Sequence, residues 1–261
     1  MEIDGDAELQ QATRCALFHV MQPATRAERR AIPAKGLTGP GYDGHTFWDT
    51  ETYVLAVLSY LVPRAAADAL RWPQSILPSA TARAAQLDLR GAAFPWRTIS
   101  GRECSGYWPA GTAAFHIDAD IADAVLRYAE ATGDTDFARG TGLELLVSTA
   151  RLWRSLGQHN VEGQFRIDGV TGPDEYSALA DNNVYTNLMA QQNLRAAAAL
   201  AARHPGAAAA LGVDAEEMAS WRDAAAAMAI PYDEKLSVHP QAEGYTEHAM
   251  WDFAEPPHHY P

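Results

Sequence analysis

Residues 117–156, IDADIADAVLRYAEATGDTDFARGTGLELLVSTARLWRSL, contain two helical patterns joined by a short connection. The spacing of their apolar residues predicts helices over 117–132 and 136–156. Outward from this pair, the same reasoning predicts further helices at 7–21, 50–61, 64–72, 78–88, 184–204 and 214–229. Only the segment 164–168 has strand character, which argues against a parallel sheet. The sequence therefore predicts an all-α fold built from helix pairs.

Long loops separate the helix pairs, at about 24–47, 90–114 and 170–183. They are rich in aromatic, carboxylate and amide side chains, which suit a sugar because its ring offers an apolar face and in-plane hydroxyls. For Trp48 and Trp96, which lie among Gly, Pro and charged residues, sugar binding and ordinary packing both stay open. The tryptophans in or beside helices are expected to pack in the core; these are Trp72, Trp153 and Trp221.

The turn TGPDEY (171–176) places two adjacent carboxylates, Asp174 and Glu175, on a loop stiffened by Pro173. Such a pair suits general-acid chemistry, because one carboxyl can be held protonated while the other stays ionised. A solvent-exposed turn rich in acidic residues is the alternative interpretation.

A cluster of His116, Asp118, Asp120 and Asp123 has the look of a metal site. His116 and Asp120 are four residues apart and share a helix face. However, carboxylates in the first turns of a helix are also favoured by the helix dipole, and no Cys or second His lies at ligand spacing. We therefore predict no metal.

The chain has 261 residues and a formal net charge of -13. This acidity argues against nucleic-acid binding, which needs basic side chains at the phosphates. No run of about 18 apolar residues predicts a membrane span, and the acidic start MEIDGDAELQ lacks a signal-peptide core. Cys15 and Cys104 are expected to be free thiols, with Cys15 in the core. These features predict a cytoplasmic protein that does not associate with membranes.

The most distinctive segments are KGLTGPGYDGHTFWDTE (35–51), FPW (94–96), HIDADIADAV (116–125), GVTGPDEY (169–176), DNNVYTN (181–187) and HPQAEGYTEH (239–248). In this order they resemble glycoside hydrolase family 65, which contains the maltose, trehalose and kojibiose phosphorylases and related hydrolases. The resemblance spans nearly the whole chain, and FWDTE together with GPDEY is specific.

The resemblance implies a catalytic domain that is an (α/α)6 barrel with its active site at one mouth. Residues 1–24 would form a linker helix, and residues 25–261 the barrel helices and active-site loops of a single incomplete domain. The N-terminal β-sandwich and the C-terminal β-domain of the family are absent from this sequence, and its phosphate-binding segments would follow Pro261. We therefore expect a partial barrel with an exposed apolar flank. Whether this chain is active by itself and whether it forms a homodimer stay open.

The resemblance also implies an inverting phosphorolysis of an α-linked glucose disaccharide to glucose 1-phosphate. Glu175 would be the general acid, and inorganic phosphate would be the co-substrate, with no cofactor. The glucose subsite would be lined by Trp48 and Asp49, and the acceptor subsite by Trp96 and its neighbour. Substrate-binding roles are thus expected for Trp48, Asp49, Trp96, Arg97, Asp174 and Tyr176.

The chain departs from the family at position 97, where Arg replaces the Glu that many members carry after FPW. With Arg102, it suggests an anionic acceptor such as a sugar phosphate, because guanidinium groups suit phosphate. Two further functions stay open at this point. One is a hydrolase with the same acid, and the other is a sugar-binding fragment without activity.

Overall fold

Ten helices and one small hairpin form the regular structure of the computed structural model, which describes residues 2–24, 30–106, 108–174 and 177–249. The helices are α1 (Ala7–Ala24), α2 (Leu55–Leu61), α3 (Pro63–Ser75), α4 (Leu77–Gln86), α5 (His116–Thr132), α6 (Thr135–Phe137), α7 (Leu143–Leu156), α8 (Val184–Arg203), α9 (Pro205–Ala210) and α10 (Ala215–Ala227). Strands β1 (Gln158–His159) and β2 (Phe165–Arg166) pair antiparallel. A π-helical turn precedes α2 (Thr50–Val54), and another precedes α7 (Ala138–Gly142).

The helices pack in two layers. In one layer α5 lies between α2 and α8, and in the other α7 contacts α3 and α10. Each helix of the first layer also packs against the helix of the second layer that follows it in the chain, so that α2 pairs with α3, α5 with α7 and α8 with α10. This arrangement confirms the predicted all-α fold of helix pairs.

Small side chains explain the close packing of α8. Its buried apolar positions, Ala190, Leu194, Ala197, Ala198 and Ala201, recur at the spacing of one helix face. Alanine has the highest helix propensity and occupies little volume, so α8 can approach α7 and α10 closely. The Ala-rich stretch of the sequence is therefore a packing surface.

The structure changes the sequence-based assignment in a few places. The predicted strand segment 164–168 contains β2, but α9 lies in a region without a predicted helix. Helix α3 continues through Pro73 to Ser75, beyond the predicted end at 72. Cys15 was expected in the core, but it is exposed on α1. No helix among the described residues is both long and apolar enough to span a membrane.

One buried hydrogen bond joins the two layers. The indole Nε1 of Trp153 on α7 donates to Oδ1 of Asn193 on α8 at 3.0 Å, and both side chains are buried. The packing prediction for Trp153 and Trp221 is confirmed, since both are fully buried, whereas Trp72 is only partly buried.

We expect Asn193→Ala to lower the free energy of unfolding by about 2 kcal/mol, because it leaves the Trp153 N–H buried without its acceptor. Urea unfolding followed by circular dichroism measures the change. Gln192→Ala is the matched control, because Gln192 is the exposed neighbour on the same helix. It should alter the unfolding free energy by no more than about 0.5 kcal/mol. Equal effects of the two substitutions would contradict the role assigned to Asn193.

Candidate active site

Three loops precede α2, α5 and α8 and meet at one end of the layer that these helices form. They are the first loop (residues 30–49), the second loop (residues 87–115) and the third loop (residues 167–183). The first and second loops exchange backbone hydrogen bonds between Thr46 and Thr98, at 2.8 and 3.2 Å.

The second and third loops meet at Thr171. Its backbone N–H donates to the carbonyl of Ala113 at 3.0 Å, and its hydroxyl donates to the carbonyl of Ala110 at 2.7 Å. The segments that carry FWDTE, FPW and the described part of GPDEY (172–174) are therefore linked to one another.

Trp48 ends the first loop and is half-buried among aromatic rings. Its ring centroid lies 5.1 Å from that of His116, the first residue of α5, and 6.4 Å from that of Tyr185 on α8. Tyr53 lies at 5.9 Å. The next residue, Asp49, is exposed. The predicted glucose-subsite pair therefore stands where the starts of three helices come together.

Trp96 in the second loop is more deeply buried than a sugar-stacking residue needs to be. It is 6% exposed, and its ring packs edge-on against Phe47 at 5.2 Å and beside Trp108 at 4.7 Å. Its backbone N–H donates to Glu103 at 2.8 Å. Trp96 therefore fastens the first loop to the second, and its predicted role at the acceptor subsite stays a prediction.

Arg83 on α4 holds the backbone around FPW. Its guanidinium donates to the carbonyls of Phe94 at 2.7 Å and Thr112 at 2.6 Å, and it lies 3.5 Å from the carboxylate of Glu103. Since Glu103 in turn accepts from the Trp96 N–H, the helix and both ends of the second loop form one network. Neither Arg83 nor Glu103 was identified from the sequence, because their partners lie up to 29 residues away.

The guanidinium group of Arg97 contacts side chains of the first loop. Its Nη2 lies 3.5 Å from the carboxylate of Asp43 and 3.2 Å from Nδ1 of His45, both in the first loop. The guanidinium side chain is only 14% exposed. An anionic acceptor would therefore have to compete with Asp43 for the guanidinium of Arg97. Arg102, the second arginine of the prediction, is exposed.

The third loop carries the predicted acid motif. Glu175 and Tyr176 lie outside the described residues. Their neighbours Asp174 and Ser177 are both half-buried and both accept a hydrogen bond from the side-chain amide of Gln241, which contacts Ser177 at 3.4 Å. Gln241 therefore contacts the third loop next to the predicted acid. The sequence analysis included it only as part of HPQAEGYTEH (239–248) and predicted no role for it.

Gly172 is required by the close approach of α8. A Cβ at this position would lie 2.3 Å from the Nδ2 atom of Asn183, which is too close for any side chain. Asn183 cannot give way, since its Oδ1 caps α8 by accepting from the N–H of Thr186 at 3.0 Å. The third loop is therefore fixed against the start of α8.

The four side chains considered as a metal site, His116, Asp118, Asp120 and Asp123, do not converge on one point. His116 and Asp120 do share a helix face, and their Nδ1 and Oδ2 atoms are 2.7 Å apart. Asp118 points elsewhere and accepts from the N–H of Phe94 at 3.4 Å, and Asp123 pairs with Arg127. Within the part of the chain that the structure describes, no group of three or more His, Cys, Asp or Glu side chains has metal-binding geometry.

Two buried carboxyls have perturbed acidity. Burial raises the pKa of Asp118 well above its ordinary value, against the opposing charge of Arg83. Burial likewise raises the pKa of Glu51, in the π-helical turn before α2, to about 8, with smaller contributions from Asp120 and Asp49. Glu51 therefore binds its proton at neutral pH in the folded protein.

We expect Glu51 to make stability fall as the pH rises. In the unfolded chain its carboxyl ionises near its ordinary pKa of 4.5, and in the folded chain near 8, so the unfolded state releases the proton first. The free energy of unfolding should therefore decrease between about pH 4.5 and 8. Glu51→Gln removes this loss, and should gain on the order of a few kcal/mol relative to wild type between pH 5 and pH 8.

Urea unfolding at pH 5 and pH 8 tests this expectation. Glu130→Gln is the control, because Glu130 is exposed on α5. It should shift stability equally at both pH values. If Glu51→Gln behaves in the same way, Glu51 ionises normally in the folded protein.

The family model described as the glycosyl hydrolase family 65 central catalytic domain matches residues 14–261. An uncharacterized glycosyl hydrolase of Mycobacterium tuberculosis is 62% identical over 97% of this chain and 32% of its own length. The α,α-trehalose phosphorylase of Geobacillus stearothermophilus is 48% identical over 100% of this chain and 35% of its own length. The chain thus spans about a third of the length of these curated relatives.

A solved structure from the human microbiome, provisionally named a kojibiose phosphorylase, superimposes with a TM-score of 0.86. It is 32% identical, and the match covers 94% of this chain and 37% of that one. The helical architecture and the sequence motifs therefore agree with one assignment: this chain belongs to glycosyl hydrolase family 65, and it matches the central catalytic domain of that family.

Proposed function

We propose that this chain provides the glucosyl-binding and proton-donating part of an inverting phosphorylase that acts on α-linked glucose disaccharides. Trehalose is the substrate we favour, because the trehalose phosphorylase of Geobacillus stearothermophilus is 48% identical, whereas the structure named a kojibiose phosphorylase is 32% identical. Inorganic phosphate would be the second substrate, and no cofactor is needed.

The proposed reaction needs one acid and one nucleophile. Glu175 donates a proton to the glycosidic oxygen while the bond from that oxygen to the anomeric carbon breaks. A phosphate oxygen forms the new bond to the anomeric carbon from the opposite face, so an α-linked disaccharide gives β-glucose 1-phosphate and a free sugar. Phosphate carries its own negative charge, and it therefore takes the place of the base that a hydrolase would use on water.

The observation that carries this proposal is the junction of the three loops. Thr46 pairs with Thr98, and Thr171 pairs with Ala110 and Ala113, so FWDTE, FPW and the described residues 172–174 of GPDEY are linked in the three loops that precede α2, α5 and α8. Loops gathered at one end of a helical scaffold are a common setting for active sites.

In this arrangement, Trp48 and Asp49 would bind the glucosyl ring. The half-buried indole offers an apolar face, and the exposed carboxylate accepts hydrogen bonds from sugar hydroxyls. Asp174 and Tyr176 would border the same subsite, and Trp96 and Arg97 would shape the acceptor side.

We expect Trp48→Ala to weaken trehalose binding to this chain by about tenfold, because it removes the stacking surface. Isothermal titration calorimetry gives the dissociation constant. Trp72→Phe serves as the control, since Trp72 is a partly buried residue of α3 outside the three loops. Unchanged affinity in Trp48→Ala would remove Trp48 from the glucose subsite.

We expect Glu175→Gln to lower phosphate-dependent turnover by about 10²–10⁴-fold while trehalose affinity changes little, because only the proton donor is lost. Turnover is measured as glucose 1-phosphate release by a chimera in which this chain replaces the matching third of the Geobacillus enzyme. Glu162→Gln, at an exposed loop position, should leave turnover unchanged. Near-normal turnover in Glu175→Gln would contradict the assignment of the acid, and glucose release without phosphate would indicate a hydrolase.

A further inference from the structure

A chain of hydrogen bonds connects Tyr185, Asp120 and His116 next to the ring of Trp48. The hydroxyl of Tyr185 donates to Oδ1 of Asp120 at 2.6 Å, and Oδ2 of Asp120 lies 2.7 Å from Nδ1 of His116. His116 and Asp120 are fully buried, and Tyr185 is half-buried. Buried polar groups of this kind are costly unless they pair, so the three side chains depend on each other for their positions.

The pairing fixes the direction of each hydrogen bond. Burial raises the pKa of Tyr185, and the negative charge of Asp120 raises it further, so the phenol keeps its proton and donates a hydrogen bond to the carboxylate. The other oxygen of Asp120 is then matched by a proton on Nδ1 of His116. The Nε2 atom of His116 is buried and has no partner among the described residues, so the imidazole is held through Nδ1.

The imidazole ring of His116 packs edge-to-face against the indole of Trp48. The rings of His116 and Trp48 are nearly perpendicular, at 86°, with their centroids 5.1 Å apart. The ring of Tyr185 is 5.9 Å from His116 and 6.4 Å from Trp48, which closes a triangle of three rings. Trp48 comes from the first loop, His116 from the start of α5 and Tyr185 from the start of α8, so the triangle joins this loop to the two helices.

We propose that Tyr185, Asp120 and His116 are positioning residues that hold the indole of Trp48 at the angle needed to stack on a glucosyl ring. They make no contact with the sugar themselves. The role of Trp48 in sugar binding rests on the proposed function, but the control of its orientation does not. The orientation can therefore be tested without any ligand.

The test uses the full chain labelled with 5-fluorotryptophan and observed by ¹⁹F NMR. The chain has seven tryptophans, and Trp48→Phe assigns the resonance of Trp48 by its disappearance. Tyr185→Phe keeps the phenyl ring and removes only the hydroxyl that binds Asp120. We expect it to shift or broaden the Trp48 resonance selectively and to weaken trehalose binding about fivefold.

Tyr128→Phe is the matched control. The hydroxyl of Tyr128 donates to Asp134 at 3.0 Å, so this variant also removes one Tyr–Asp hydrogen bond, at the far end of α5. It should leave both the Trp48 resonance and trehalose affinity unchanged. Asp120→Asn is a second test, because the amide replaces one of the two accepting oxygens with an NH2 donor that opposes the Tyr185 or His116 donor, and it should reproduce the effect of Tyr185→Phe.

The outcomes separate the two proposals. If Tyr185→Phe leaves the Trp48 resonance in place, or moves the signals of distant tryptophans such as Trp153 and Trp221 equally, the positioning role is wrong. If the Trp48 resonance moves selectively but wild-type protein binds no trehalose, the positioning role stands and the proposed substrate fails.

Discussion

The start of α5 imposes the strongest constraint on this structure. All seven residues from His116 to Ala122 are buried, although three of them carry ionisable side chains. Such groups must find partners inside the protein, because water cannot reach them. Asp120 accepts a hydrogen bond from the hydroxyl of Tyr185 on α8, and Asp118 accepts one from the backbone N–H of Phe94 in the second loop. The ring of His116 packs against the indole of Trp48 in the first loop. The polar groups of one helix thus specify where three neighbouring segments lie.

The helices could be predicted from the sequence because their information is local. Apolar spacing and proline positions predicted the helices of both layers, although α2 and α7 begin at Leu55 and Leu143, after π-helical turns, and not at the predicted 50 and 136. The fully buried Trp153 was also expected in the core. Helix α9 was missed because PGAAAA has no apolar periodicity of its own. The loop motifs FPW and GPDEY could be recognised in the sequence, but the contact between their two loops through Thr171 could not, since it joins residues 61 positions apart.

The candidate site shows the same division between local and distant information. The shared helix face of His116 and Asp120 follows from their spacing and could be predicted. Their third partner, Tyr185, comes from another helix and could not. For Trp96, which lies among Gly, Pro and charged residues, sugar binding and packing both stayed open, and Arg97 was expected to contact an anionic acceptor. In the structure Trp96 is buried and Arg97 is paired with Asp43. A polar neighbourhood in the sequence can therefore surround a packed side chain when the loops fold against each other.

The fixation of the third loop also bears on the order in which the molecule assembles. Thr171 needs the second loop in place, and Gly172 needs the capped start of α8 beside it. The contact between Thr171 and Ala110 joins residues 61 positions apart, and the entropy of closing such a loop is lost before the contact forms. We therefore expect this segment to settle during refolding only after the helices have docked. It would then be among the first parts to open in hydrogen exchange, before the layers separate.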